Sequence, residues 1–299
     1  LCRRGRMKRV IYTVFMNHFE VGNDLRKYDP TFNLTEYFPM LARKQMEYAE
    51  ICQADYKIFG YGDRFQDYVL DLMTKGIFET SYQAIQHYKF YCAEQLKNDY
   101  DEILYLDLDV YPNTEQNIFE KIKADRGIAT HGFHDDKEEN IVLLHTGQLN
   151  YEPMERSVCV KHALMQALCM KKGIHSRLDI VANTGIMLFN PSDIEKLNYT
   201  ASLNWVIPEI NQIKEEGTNF YKDYIERHFN NNNESIFSYL VSAYQLNHQQ
   251  LGEQWHWVWN HRNANQMPDR KAKLIHVINK QFGTLNGLAI QDLYSLINR

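Results

Sequence analysis

The run Ile103-Leu104-Tyr105-Leu106-Asp107-Leu108-Asp109-Val110-Tyr111 sets four apolar residues directly ahead of two carboxylates spaced one residue apart. An apolar run so short, and without alternation, fits a strand buried on both faces, which calls for helices on either side of a mostly parallel sheet. The acids then fall where the strand leaves the sheet. In open α/β sheets ligands bind at that carboxyl end, and two carboxylates there can share a divalent cation with phosphate oxygens. A solvated strand end would carry the same letters, because Asp-x-Asp pairs are common in surface turns. The rest of the chain has to decide between the two.

Arg9 to Phe15 reads as the first strand, followed at once by polar Asn17, His18 and Asn23. Helical spacing runs from Pro39 to Ile51, and a short strand from Tyr56 to Phe59 closes at Gly60 and Gly62. Thr80 to Leu96 is a helix with Ile85, Tyr88, Cys92 and Leu96 on one face, feeding the Asp-x-Asp strand. It carries Lys89, read either as a surface lysine with a buried stem or as a cation reaching a bound diphosphate. Beyond Pro112 the pattern predicts a short helix over 118–122, a strand over 128–130, a helix over 157–170 ended by Lys171-Lys172-Gly173, and a strand over 183–190. Gly185 stands where a nearby backbone or ligand excludes a side chain, or simply where a glycine turn enters a core strand. Much of 203–229 is expected to be helical, broken near Pro208 and Gly217, and another helix begins at Glu234, where the helix dipole favours an acid. Trp255, Trp257 and Trp259 alternate as one face of an extended segment, for packing in the core or as a stacking platform for a sugar. A last strand over 273–278 carries His276, and helix spacing returns over 285–297. Strands and helices alternate as in a crossover sheet.

Composition narrows the function. A hydrophobic share of 44% suits a globular fold, and a net charge of -5 provides no general basic surface for nucleic acid. No segment approaches the roughly 20 apolar residues of a membrane span. The basic first ten residues lack a secretory-type apolar stretch, so Met7 is read as the start, residues 1–6 as an extension, and the location as cytoplasmic, with action at the cytoplasmic membrane surface left open. Cys2, Cys52, Cys92, Cys159 and Cys169 are odd in number and widely spaced, which favours reduced thiols. His131, His134, Asp135 and Asp136 could hold a metal, although a mobile charged loop able to cover a ligand is the preferred reading of 131–140.

Asp107, Asp109 and His276 make a coherent donor set. Two hard oxygens and one imidazole suit Mn²⁺ or a related ion and leave positions open for a diphosphate, with Lys89 and Lys280 adding positive charge. Structural zinc fits less well without clustered cysteines.

With these pieces in this order, the chain resembles the nucleotide-sugar-dependent glycosyltransferases of the GT-A fold, and most nearly the retaining family of glycogenin and bacterial lipopolysaccharide galactosyltransferases. The likeness rests on Tyr88-Lys89-Phe90 ahead of Tyr105-Leu106-Asp107-Leu108-Asp109, on Asn183-Thr184-Gly185-Ile186-Met187-Leu188-Phe189-Asn190, and on Ile275-His276-Val277-Ile278-Asn279-Lys280, similar to the family's His-x-x-Gly-x-Lys segment. It implies an α/β, GT-A Rossmann-like fold with a mixed, mostly parallel central sheet flanked by helices. One domain over 7–299 would comprise a nucleotide-binding half, 7–130, and a sugar- and acceptor-binding half, 131–299. The resemblance assigns Asp107, Asp109 and His276 to the metal, Lys280 to the diphosphate, Thr13 and Asn17 to the nucleotide, and Asn183 to the donor sugar. Mn²⁺ or Mg²⁺ is the implied cofactor. The implied donor is a nucleoside-diphosphate sugar, UDP-sugar favoured, and the acceptor a glycan or other hydroxyl compound. A homodimer is compatible with this reading, and a nucleic-acid acceptor is disfavoured by the acidic balance.

The chain departs from the family at three positions. Lys89 stands where an arginine is common, losing the rigid guanidinium fork. Asn279 replaces a usual glycine, and Glu234 lies where retaining relatives often carry an Asp-Gln pair. Glu234 therefore has two readings. Under retention, donor and acceptor meet on one face of the sugar, and Glu234 orients that sugar or stabilises positive charge at C1. Under inversion it is a general base within about 3 Å of the attacking hydroxyl. The resemblance favours retention. A metal-dependent phosphohydrolase or nucleotidyltransferase would use the same acids but calls for a second carboxylate cluster, and a non-catalytic carbohydrate-binding protein would rely on the aromatics.

Overall fold

In the computed structural model, residues 7–16, 34–78, 81–132, 153–178, 181–221, 223–259 and 271–278 are described. Asn17, His134, Asp135, Asp136, Lys280 and the expected helix over 285–297 lie outside them. The strands, in chain order, are β1 (Arg9–Val14), β2 (Asp55–Phe59), β3 (Glu102–Leu106), β4 (Val110–Pro112), β5 (Ile128–Gly132), β6 (Ala182–Phe189), β7 (His248–Gln250), β8 (Trp257–Trp259) and β9 (Leu274–Val277). The main sheet has the order β2-β1-β3-β6-β5-β7, and a smaller one has the order β4-β9-β8.

The expected α/β fold is present. β1 runs parallel to β2 and β3, whereas β6 is antiparallel to both β3 and β5, so the Asp-x-Asp strand has a parallel neighbour on one side and an antiparallel one on the other. All eight residues of β6 are buried, as a strand inserted mid-sheet between two helical layers must be. Alternation divides the core between the two faces. Tyr12, Ile103, Tyr105, Met187 and Phe189 pack on one side, and Ile11, Leu104, Leu106, Ile186 and Leu188 on the other.

The helices that bear on the site are α1 (Leu34–Cys52), α2 (Asp63–Thr74), α3 (Ser81–Leu96), α4 (Pro153–Lys171), α5 (Pro191–Leu197), α6 (Tyr199–Glu216) and α7 (Asn233–Ala243). α1 begins five residues before the expected start and keeps Pro39 inside it. α2 was hidden behind the glycines at 60 and 62, yet it buries Phe65, Tyr68, Val69 and Leu72, which is ordinary amphipathic spacing. Cys52, Cys92, Cys159 and Cys169 are buried thiols outside any disulfide.

The smaller sheet joins segments that lie far apart in the sequence. Its strand β4 follows directly from the Asp-x-Asp turn, and β9 pairs antiparallel to β4 with Val110 facing His276, while β8 runs parallel to β9 with Val258 facing His276. Behind the main sheet, His87 of α3 joins two other elements: its Nδ1 accepts from the Tyr199 hydroxyl at 2.7 Å and its Nε2 donates to the Asn231 carbonyl at 2.8 Å. That second bond holds the segment leading into α7.

Burial lowers the His87 pKa to about 3, despite the opposing hydrogen bond to Asn231 and with a smaller push from the Lys89 charge. The unfolded chain takes up that proton near the ordinary histidine value, so the contribution is present above about pH 6.5 and is lost as pH falls toward 3, at about 1.4 kcal/mol per pH unit. Urea unfolding should therefore show lower stability at pH 5 than at pH 7, with the His87 ring still neutral by NMR at pH 5. A ring titrating at the ordinary histidine value would contradict the assignment.

Candidate functional site

The Asp-x-Asp turn is held by its backbone before its side chains are considered. Asp107 donates its N–H to the Gly185 carbonyl at 2.8 Å, and Val110 closes the turn onto the Asp107 carbonyl at 3.0 Å. From α1, the fully buried Gln45 donates to the carbonyls of Asp107 and Val110, each at 2.9 Å, and accepts the Tyr56 hydroxyl at 3.1 Å. On the other side Val277 donates to the Asp109 carbonyl at 3.0 Å. The two carboxylates thus project from a fixed turn at the junction of the two sheets.

His276 meets them there. Its Nε2 lies 3.4 Å from Asp109 Oδ1 and 3.7 Å from Asp107 Oδ2. One donor atom from each of the three residues lies within 4.8 Å of the others, so the cluster could hold a divalent cation. Asp109 and His276 are buried, and Asp107, with its side chain 29% exposed, forms the open side. Burial by itself lowers the His276 pKa, but the charge and hydrogen bond of Asp109 together with the charge of Asp107 outweigh it, and the net shift is upward. The donor set fits a hard cation: two carboxylates already attract a positive charge onto the imidazole, and a metal would take the place of that proton.

Gly185 belongs to the same arrangement. A Cβ there would stand 2.2 Å from His276 Cε1. The expectation that something excludes a side chain at this position is met by an imidazole ring rather than by backbone or ligand.

Lys89 is not a surface lysine. It is 7% exposed, and its ammonium donates to the Thr184 carbonyl and hydroxyl, each at 3.0 Å, while standing 3.5 Å from Asp107 Oδ1 and 4.9 Å above the Tyr105 ring. Tyr105 donates a short hydrogen bond to the same Asp107 oxygen. Both groups orient Asp107 from beneath, and the Tyr12 hydroxyl bonds the Lys89 carbonyl at 2.7 Å.

The other sequence candidates lie around this centre. Asn183 is buried, with its Oδ1 accepting the Gly185 N–H at 2.8 Å. Glu234, in the first turn of α7, receives the Thr184 N–H at 3.4 Å on one oxygen and pairs with Lys161 of α4 at 2.5 Å through the other. Asn233 donates to the Thr184 hydroxyl at 2.9 Å. Thr13, near the carboxyl end of β1, is buried, and its hydroxyl has no partner among the described residues. Of the proposed cluster of His131, His134, Asp135 and Asp136, His131 alone lies among the described residues, and it sits in β5 with Nδ1 donating to the Leu251 carbonyl at 2.9 Å.

Residues that sequence reasoning missed include Gln45, Tyr105, Lys161 and His256. Tyr105 was in view as part of the strand, and only its hydroxyl, aimed at Asp107, distinguishes it from a packing residue. His256 places Nε2 3.0 Å from His276 Nδ1. Its own Nδ1 is buried without a partner among the described residues, a cost on the order of 1–3 kcal/mol. Burial, with the charges of His276 and His131, keeps its pKa well below the ordinary histidine value.

No family model matches the chain, and no curated protein matches it. Among solved structures it is similar to a glycosyltransferase involved in the glycosylation of the major capsid of PBCV-1, at 11% identity, over 94% of this chain and 100% of that one, with a TM-score of 0.47. It is also similar to mouse xyloside xylosyltransferase 1, at 11% identity over 91% and 98% of the two chains with a TM-score of 0.46. A third, galactosyltransferase LgtC in complex with donor and acceptor sugar analogs, shows 12% identity over 96% and 95% with a TM-score of 0.44. Likenesses this distant establish neither a family nor an activity. No described helix is long and apolar enough to cross a membrane.

Gly185→Ala tests the packing of the site. The added methyl must displace the His276 ring or β6, so stability should fall by about 1–3 kcal/mol in urea unfolding, and any rise in Tm that Mn²⁺ gives the unaltered protein should disappear. Unchanged stability with an unchanged Mn²⁺ effect would show that the ring does not lie over Gly185.

Proposed function

We propose that this protein is a metal-dependent glycosyltransferase of the GT-A type that moves a sugar from a nucleoside-diphosphate sugar to a hydroxyl acceptor, with Mn²⁺ or Mg²⁺ as cofactor. The observation that carries the reading is the convergence of Asp107, Asp109 and His276 beyond the carboxyl end of β3. A divalent cation held by those three residues would offset the charge that gathers on the departing nucleoside diphosphate.

The chain's own groups divide the remaining work. Thr13, whose buried hydroxyl has no described partner, is assigned to the nucleotide together with Asn17, and Lys280 to the diphosphate. A UDP-sugar is the favoured donor and a glycan the favoured acceptor, with the cytoplasm as the place of action. Asn183 is assigned to the donor sugar. Lys89 is assigned to orienting Asp107, since its ammonium is already engaged by Thr184.

Glu234 is better suited to orienting than to proton abstraction. Its carboxylate is engaged by Lys161 and by the Thr184 N–H, and a general base needs a carboxylate oxygen within hydrogen-bond reach of the attacking hydroxyl. Together with the resemblance, this favours transfer with retention.

The test is release of nucleoside diphosphate from a panel of nucleotide sugars, with Mn²⁺ or EDTA and with or without sugar acceptors, followed by NMR of the product anomer. Transfer should require the metal, and Asp109→Ala should lower it by about 100-fold or more, the equivalent of several kcal/mol of lost charge stabilisation. Release of inorganic phosphate with no transferred sugar would point to a phosphohydrolase instead, and turnover unaffected by Asp109→Ala would overturn the proposal.

A further inference from the structure

His276 presents its two ring nitrogens to different neighbours. Nε2 faces Asp107 and Asp109, and Nδ1 lies 3.0 Å from His256 Nε2. An imidazole that binds a cation through Nε2 must carry its proton on Nδ1, and that proton needs an acceptor in a buried site. Among the described residues, His256 Nε2 is the group placed to accept it. Packing alone does not select this orientation, because a half-turn about χ2 leaves the ring outline over Gly185 nearly unchanged while exchanging nitrogen for carbon on both edges.

We propose that His256 is a positioning residue that holds His276 with Nε2 directed at the two carboxylates and with its proton on Nδ1. The inference rests on the metal-centre reading given above. His256 is itself well placed for the task. It lies between the 3₁₀ turn Glu253–Trp255 and β8, and the buried indoles of Trp255 and Trp259 anchor the chain on either side of it. Its backbone N–H is bound to the Glu253 carbonyl at 3.1 Å. The His131 ring stands 5.4 Å away and is fixed in turn by the Leu251 carbonyl at 2.9 Å. The alternating tryptophans thus act as anchors that point the intervening histidine toward the site.

The probe for the test is Mn²⁺ added to the full chain, with binding measured by calorimetry and by loss of the free-ion EPR signal. His256→Leu keeps bulk and removes the acceptor, whereas His256→Gln offers an amide oxygen close to the position of Nε2. The leucine variant should bind Mn²⁺ about 10–100-fold more weakly and the glutamine variant within about threefold of the unaltered protein, as expected for an outer-shell partner. With diamagnetic Mg²⁺, long-range ¹H–¹⁵N spectra of the unaltered protein should place the His276 proton on Nδ1. A leucine variant that binds Mn²⁺ as tightly as the unaltered protein, while Asp109→Ala does not bind it, would overturn the proposal. So would a His276 proton found on Nε2 in the Mg²⁺ form, a result that remains decisive if the leucine variant fails to fold. If Asp109→Ala also binds Mn²⁺ normally, the metal centre itself falls, and this inference falls with it.

Discussion

The pairing of β9 with β4 is the contact on which the site depends. It places His276 opposite Val110, immediately after the two acids, and so brings an imidazole from late in the chain to within 3.4 Å of the Asp109 carboxylate. Neither partner has a comparable role without the other. Two adjacent carboxylates alone repel each other and would favour solvent, while a buried imidazole alone would be driven neutral by desolvation. Brought together they favour positive charge on the ring, and the same field suits a divalent cation.

Around this contact the protein surrounds Asp107 with groups that restrict its movement. Lys89 and Tyr105 bind one carboxylate oxygen, Gln45 and Gly185 hold the backbone, and His276 faces the other oxygen. Thr184 connects this group to the first turn of α7 through Lys89, Asn233 and Glu234. His87 braces the same region from α3. The polar groups around Asp107 therefore form one connected network between the central strands and helices α1, α3 and α7, and such networks are stabilising only when their members are satisfied. Among the described residues His256 Nδ1 and Thr13 Oγ1 are buried without a partner, and unsatisfied groups of this kind are expected where function rather than stability sets the residue.

Much of this was legible in the chain. Asp107, Asp109 and His276 stand out as one donor set by residue type and motif order, and the strands at 103–106, 183–190 and 273–278 each show as a short apolar run bounded by polar or turn residues. The parts that were not legible share physical causes. β4 and β7 have three residues each, too few to establish a period, whereas the alternating tryptophans mark the extended segment that contains β8. α2 has a clear period, although no helix is expected from sequence between the glycines at 60 and 62 and the helix at 80–96. The antiparallel placement of β6 depends on long-range pairing, which local pattern does not encode. The roles of Lys89, Glu234 and His256 depend on which atom each side chain reaches, and that information exists only once β6, β8, β9 and α7 are assembled.

Asp107, Asp109 and His276 are placed so that they could hold a divalent cation where the field already favours positive charge. Calorimetric titration with Mn²⁺ near neutral pH, in two buffers that differ in ionisation enthalpy, tests this most directly, because binding and proton release are read in one measurement. One saturable Mn²⁺ site per chain, with net proton release to the buffer, is the predicted result. Absence of saturable binding, or binding with no proton release at a pH where His276 is protonated, would contradict it.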